Sequence, residues 1–148
     1  MIDPLPDARL FRFQDISEGT KESRVYVISA EVCDHFLAAF DDRSPIHVQK
    51  EYARARGYQD VVVHGSVLNG FLSHFVGMYF PGRYSLLLAV DIRFAKPCYP
   101  GDTIRLEAEV SQKLETQQVV VLDMTFQNIT QNRLVARGRV QVMLRGEL

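Results

Sequence analysis

This sequence predicts an α+β fold in which an antiparallel β-sheet wraps around one long central helix, and three observations predict it. After Gly65 the apolar residues Val67, Leu68, Phe71, Leu72, Phe75, Val76 and Tyr79 recur at i, i+1, i+4 and i+5, the mark of a helix with a broad apolar face. From Tyr84 onward the pattern becomes extended: Ile104, Leu106, Ala108 and Val110 alternate with Arg105, Glu107 and Glu109, as in a strand buried on one side. Finally, 148 residues that are 47% hydrophobic and 24% charged supply one ordinary core and too little chain for two, so a single domain, 1–148, is expected.

The elements follow in order. The first dozen residues, with Pro4 and Pro6, read as a linker-like lead-in. Residues 24–28 are β-branched and aromatic enough for a strand. Ser29 is placed to cap a helix with Glu31 in its first turn, running to about Phe40, and Val32, Phe36 and Phe40 at fourfold spacing predict one buried stripe. Residues 49–56 form a short surface helix that Gly57 ends with a left-handed cap.

The central helix starts beyond His64-Gly65 and stops at Pro81-Gly82. Gly65, Ser66, Asn69, Gly70, Ser73 and Gly77 leave much of its other surface open to close approach by a backbone or a thin ligand. Residues 85–94 are the first long strand, and Pro97, Pro100 and Gly101 punctuate a turn before the next. Two further strands carry Leu122, Met124 and Phe126, then Val140 and Val142, with a turn near Gln131-Asn132. Strands in succession joined by short turns predict an antiparallel meander packed on one helix.

Charge excludes some functions. Seventeen Lys plus Arg against eighteen Asp plus Glu give a formal charge of -1, so no nucleic-acid partner is expected, while a local basic patch for the phosphates of a small cofactor stays open. Cys33 and Cys98 stand too far apart for a CxxC pair and are read as free thiols. The proline- and acid-interrupted N-terminus is no signal peptide, and no apolar run reaches membrane-spanning length, so a cytoplasmic protein without a membrane partner is expected.

The stretch that carries chemistry is Asp42-Arg43-Ser44-Pro45-Ile46-His47. Pro45 fixes its own φ and biases Ser44 toward extended backbone, so Asp42 and His47 are held at a reproducible separation. A carboxylate beside an imidazole that titrates near neutral pH is an acid/base pair able to share a water. The same hexapeptide also serves plain structural ends, with Asp42 capping a turn and His47 capping the next helix. No HxH, HExxH or CxxC spacing supplies a metal site, so none is expected. His64 is read as structural, and His35 and His74 have no partner by spacing.

D-x-S-P-I-H, a short helix with Tyr52-Ala53, and Val63-His64-Gly65 opening a long apolar helix resemble the MaoC-like dehydratases and (R)-specific enoyl-CoA hydratases, whose fold is the hot-dog fold. The likeness continues through Asp91-Ile92-Arg93-Phe94-Ala95-Lys96-Pro97-Cys98-Tyr99-Pro100-Gly101-Asp102 and residues 136–140, giving a domain core of about 15–145. What the resemblance implies is reversible addition of water across the double bond of a 2-enoyl-CoA, with Asp42 and His47 as the catalytic pair and the Gly65 N–H binding the thioester oxygen. An amide at a helix N-terminus is unpaired and at the positive end of the dipole, which suits a developing enolate.

Coenzyme A would enter as part of an acyl-CoA substrate, with no other cofactor, and a homodimer or higher homo-oligomer is expected. Ser44, Asn69 and Ser73 are supporting candidates. In two places the sequence departs from the family's pattern: Ser44 replaces the commoner Asn, so the hydrogen bond to the reacting water must come from a shorter hydroxyl or be lost, and Asp41 stands where many members have Gly. A hot-dog acyl-CoA thioesterase, attacking the carbonyl carbon, and a non-catalytic acyl-CoA binding module are the alternatives.

Overall fold

The computed structural model describes residues 8–146, which leaves Pro4 and Pro6 of the lead-in outside the described residues. Strand β1 (Lys21–Val27) is followed by helix α1 (Ala30–Phe40), a one-turn helix α2 (Pro45–Val48) and helix α3 (Lys50–Ala55). Helix α4 (Ser66–His74) continues as a π-helical turn over Phe75–Tyr79. The strands β2 (Ser85–Phe94), β3 (Thr103–Leu114), β4 (Val119–Asn128) and β5 (Arg133–Leu144) complete the domain.

The caps explain the helix ends. The Ser29 hydroxyl accepts from Val32 N–H at 3.1 Å, as its position before α1 demands. Asp41 ends α1 in the left-handed region at φ 52°, its N–H bonded to Leu37 O. That backbone conformation favours glycine, and an Asp tolerates it better than most residues. Pro45 begins α2, where its missing N–H costs nothing. Gly57, at φ 88°, closes α3.

All neighbours in the five-stranded sheet are antiparallel, in the order β1-β3-β4-β5-β2. The expected meander is therefore only β3-β4-β5. Strand β2 pairs with β5, and the chain crosses the sheet between β2 and β3 instead of turning back on itself. Three strand spacings are roughly 14 Å, and the connection 95–102 reaches roughly 26 Å when extended, so the crossing needs no further element. Pro97 and Pro100, which cannot donate to a ladder, keep it out of the sheet.

Period-two burial appears as read: Ile104, Leu106, Ala108 and Val110 face inward on β3, Met124 and Phe126 on β4, and Val140 and Val142 on β5. Val67, Leu68, Leu72, Phe75 and Val76 of the central helix pack against them in one hydrophobic cluster. Each such side chain removed from water stabilises the fold by about 1.5–3 kcal/mol. The α1 stripe is the exception. Val32 and Phe36 pack on this cluster, but Phe40 is 70% exposed, because α1 ends there and the chain turns outward at Asp41.

Candidate active site

Asp42 lies on the outward turn between α1 and α2. Its Oδ1 accepts both the Ser44 hydroxyl, at 2.6 Å, and the Ser44 N–H, at 3.1 Å. These two bonds hold the Asp42 carboxyl below its ordinary range, so it is ionised at neutral pH, and Oδ2 is left for other work. The Ser44 hydroxyl is thus spent on Asp42 instead of being left to face a reacting water, the second of the two outcomes the sequence left open. Asp41 points away and pairs with Arg43 at 2.6 Å, as its exposure suits.

His47 sits on α2 and donates from Nδ1 to Val62 O at 2.6 Å, while Val62 N–H returns a bond to Ile46 O. With Nδ1 committed as a donor, Nε2 of the neutral ring carries the lone pair. Asp42 and His47 make no direct hydrogen bond among the described residues, yet both offer polar atoms within 4.8 Å of one another. A single water can bridge groups at this range, since two hydrogen bonds of about 2.8 Å meeting at a tetrahedral angle span about 4.6 Å.

His64 completes the group, and spacing along the chain did not bring it in. It is 7% exposed, donates from Nε2 to the Asp42 carbonyl at 2.8 Å, and stacks on His47 with ring centroids 4.0 Å apart. Its structural reading holds in that it ties the Asp42 turn to the start of α4, but it does so inside the site. Asp42, His47 and His64 are also the one cluster among the described residues with donor atoms close enough to hold a cation. With His47 Nδ1 and His64 Nε2 both spent on carbonyls, each ring has one nitrogen left, and the arrangement suits proton transfer better than a chelate.

Gly65 adjoins His64 as the N-cap of α4, with helical φ and ψ, and its N–H has no acceptor among the described residues. It lines a cavity of about 320 Å³ together with His47, His64, Leu68, Phe94 and Cys98. A Cβ at position 65 would lie 3.1–3.3 Å from the Phe94 ring, so the glycine lets that ring close over the helix terminus. Burial pushes the Cys98 thiol up to about 11, which keeps it protonated and unsuited as a nucleophile.

The other supporting candidates stay apart from this cavity. Ser73 is exposed on α4, and Asn69 is half-buried with its side-chain oxygen buried and without a hydrogen-bond partner. His74, unpartnered by spacing, meets the Tyr26 hydroxyl at 3.0 Å from Nδ1.

A buried network behind the cavity was not foreseen. Asp102 Oδ2 accepts from Tyr99 N–H, Asn128 Nδ2 and Gln131 Nε2 at 2.6–2.8 Å. The turn so held presents Cys98 O to Val63 N–H, which fixes the segment leading to His64 and Gly65. An acid buried next to a Pro-Gly turn was the available signal, because a buried carboxylate demands donors.

A carboxylate and an imidazole with polar atoms within 4.8 Å of one another, the imidazole sharing a cavity with a helix-terminal amide, form a candidate acid/base site on an antiparallel-sheet domain of the hot-dog type. Residues 15–132 match the family described as MaoC like domain, and the chain belongs to that family. It is 27% identical over 138 residues to an (R)-specific enoyl-CoA hydratase of Rhodospirillum rubrum, covering 93% of this chain and 94% of that protein. With the (R)-specific enoyl-CoA hydratase of Aeromonas caviae it shares 29% over 109 residues, 74% of this chain and 81% of the other. The solved (R)-hydratase of A. caviae superposes with a TM-score of 0.82 at 25% identity, over 89% of this chain and 99% of that one.

Proposed function

We propose that this chain reversibly hydrates 2-enoyl-CoA thioesters, giving (R)-3-hydroxyacyl-CoA, with Asp42 and His47 as its acid/base pair. The observation that carries the reading is that Asp42 and His47 offer polar atoms within 4.8 Å of one another, while His47 and Gly65 line the same cavity. The enoyl thioester lies in the cavity with its carbonyl oxygen on that amide, which draws electron density from the double bond and makes C3 electrophilic. Asp42 Oδ2 and His47 Nε2 hold the water; its oxygen bonds to C3 as one of its protons passes to the pair. The electron pair of the double bond moves toward the carbonyl, and a proton from the pair is delivered to C2, restoring the thioester. Nothing is oxidised or reduced, so the chemistry calls for no cofactor beyond the coenzyme A of the substrate. The handedness of the product follows the names of the relatives.

No helix among the described residues is long and apolar enough to cross a membrane. A cytoplasmic, homodimeric enzyme is part of this proposal. Strand β2 supports the dimer: it is an edge strand carrying exposed Leu86, Leu88 and Val90, and such an edge is normally covered.

Crotonyl-CoA tests the activity. Loss of the conjugated-thioester absorbance with formation of (R)-3-hydroxybutyryl-CoA is expected; release of free thiol without loss of conjugation would replace this reading with the thioesterase one.

A further inference from the structure

We propose that the surface cavity on the outer side of the catalytic turn holds the phosphorylated end of the coenzyme A carrier, with Arg56 as the phosphate anchor and Tyr52 and Tyr58 as its walls. The inference rests on the acyl-CoA reading of the site and adds how the carrier is recognised.

The cavity measures about 490 Å³ and is lined by Ser44, Pro45, Ile46, Tyr52, Arg56 and Tyr58. Tyr58 also lines the cavity that contains His47 and Gly65. One side chain therefore belongs to both spaces, and a thioester seated at Gly65 has a route along Tyr58 for its pantetheine arm. Of the cations around this face, Lys50 is paired with Asp60, Arg54 with Glu51 and Arg43 with Asp41. Arg56 makes no ion pair among the described residues, and its guanidinium lies 4.7 Å from the centroid of the Tyr52 ring. A planar cation with no counter-charge, laid on an aromatic face, leaves its N–H groups for phosphate oxygens, which it binds by charge-assisted hydrogen bonds.

The backbone that presents these groups is rigid. Gly57 N–H bonds Arg54 O at 2.9 Å and Tyr58 N–H bonds Ala53 O at 3.1 Å. With Gly57 in the left-handed region this is the doubly bonded helix end that fixes the two residues flanking the glycine. Ala53 is fully buried, so the turn is anchored in the domain while Arg56 and the Tyr52 ring face outward. Prearranged groups lose little freedom on binding, which favours affinity for the carrier.

The test compares crotonyl-CoA with crotonyl-pantetheine, which carries the same reacting group without the nucleotide. Arg56→Ala should raise KM for crotonyl-CoA about tenfold, the worth of one charge-assisted bond, with kcat unchanged and crotonyl-pantetheine unaffected. Arg56→Lys should recover part of the loss, and Tyr52→Ala should show the same selectivity with a smaller effect. Equal KM for crotonyl-CoA in wild type and Arg56→Ala, or an equal rise with both thioesters, overturns the proposal while leaving the hydratase reading in place. Calorimetry with free coenzyme A and with pantetheine separates the two ideas: if wild type binds coenzyme A, Arg56→Ala loses it and neither hydrates crotonyl-CoA, the carrier site stands and the hydratase reading falls.

Discussion

The imidazole rings of His47 and His64 lie face to face, 4.0 Å between centroids and 27° between planes, and each is pinned by a backbone carbonyl, Val62 O for one and Asp42 O for the other. His64 thereby sets both the plane of the His47 ring and the position of the Asp42 turn. His64→Ala should lower kcat about tenfold through lost positioning. His64→Phe, which keeps a stacking face and loses the bond to Asp42, should fall between the two. Steady-state kinetics with crotonyl-CoA, on variants checked for native circular dichroism, reads the order.

Asp42→Asn and His47→Ala should each reduce kcat by about a hundredfold or more, the cost of removing a positioned acid or base. With both holding the same water, as proposed, the double variant should be little worse than either single one. Additive losses in the cycle would show that the two act separately.

Ser44 gives the pH prediction its sign. Its two hydrogen bonds to Oδ1 lower the Asp42 pKa, and the proposed mechanism uses the carboxylate, so activity should be lost as pH falls through that pKa. Ser44→Ala removes the hydroxyl bond, raises the pKa and should move the acidic limb of the kcat/KM profile to higher pH. An unmoved limb would mean that it reports a group other than Asp42.

Gly65 and Phe94 form the fourth test. Gly65 has helical φ, so Gly65→Ala is compatible with the backbone, but its Cβ presses on the Phe94 ring. The variant should fold and lose about tenfold in kcat/KM from misplacement beside the amide. Adding Phe94→Leu should restore part of the loss by making room. If Gly65→Ala alone is fully active, the close packing of the ring is not needed for turnover.

Much of this arrangement was legible because its signals are local. Burial on alternate positions of β3 shows directly in Ile104, Leu106, Ala108 and Val110, and Ser29 announces the start of α1. Asp42, Pro45 and His47 stand within one hexapeptide. What escaped depends on distant or main-chain partners. His64 meets a carbonyl 22 residues away, and Asp102 binds an Asn side chain 26 residues on, neither of which leaves a spacing pattern. The pairing of β2 with β5 is likewise a matter of which edge remains open once β3, β4 and β5 have paired. Phe40 misled because periodicity says which residues share a face, and not where that face runs out.

The crossover 95–102 has a consequence for how activity is acquired. It joins opposite parts of the sheet and also supplies the Cys98 carbonyl that holds Val63, while Asp102 within it is held by Asn128 and Gln131 from the end of β4 and the turn that follows. The proposed catalytic groups near the N-terminal third are therefore held in place by residues synthesised much later. Such contacts close only after the entropy of a long loop has been overcome. A refolding chain should regain helix signal before it regains turnover, and catalysis serves as a reporter of the last long-range pairings.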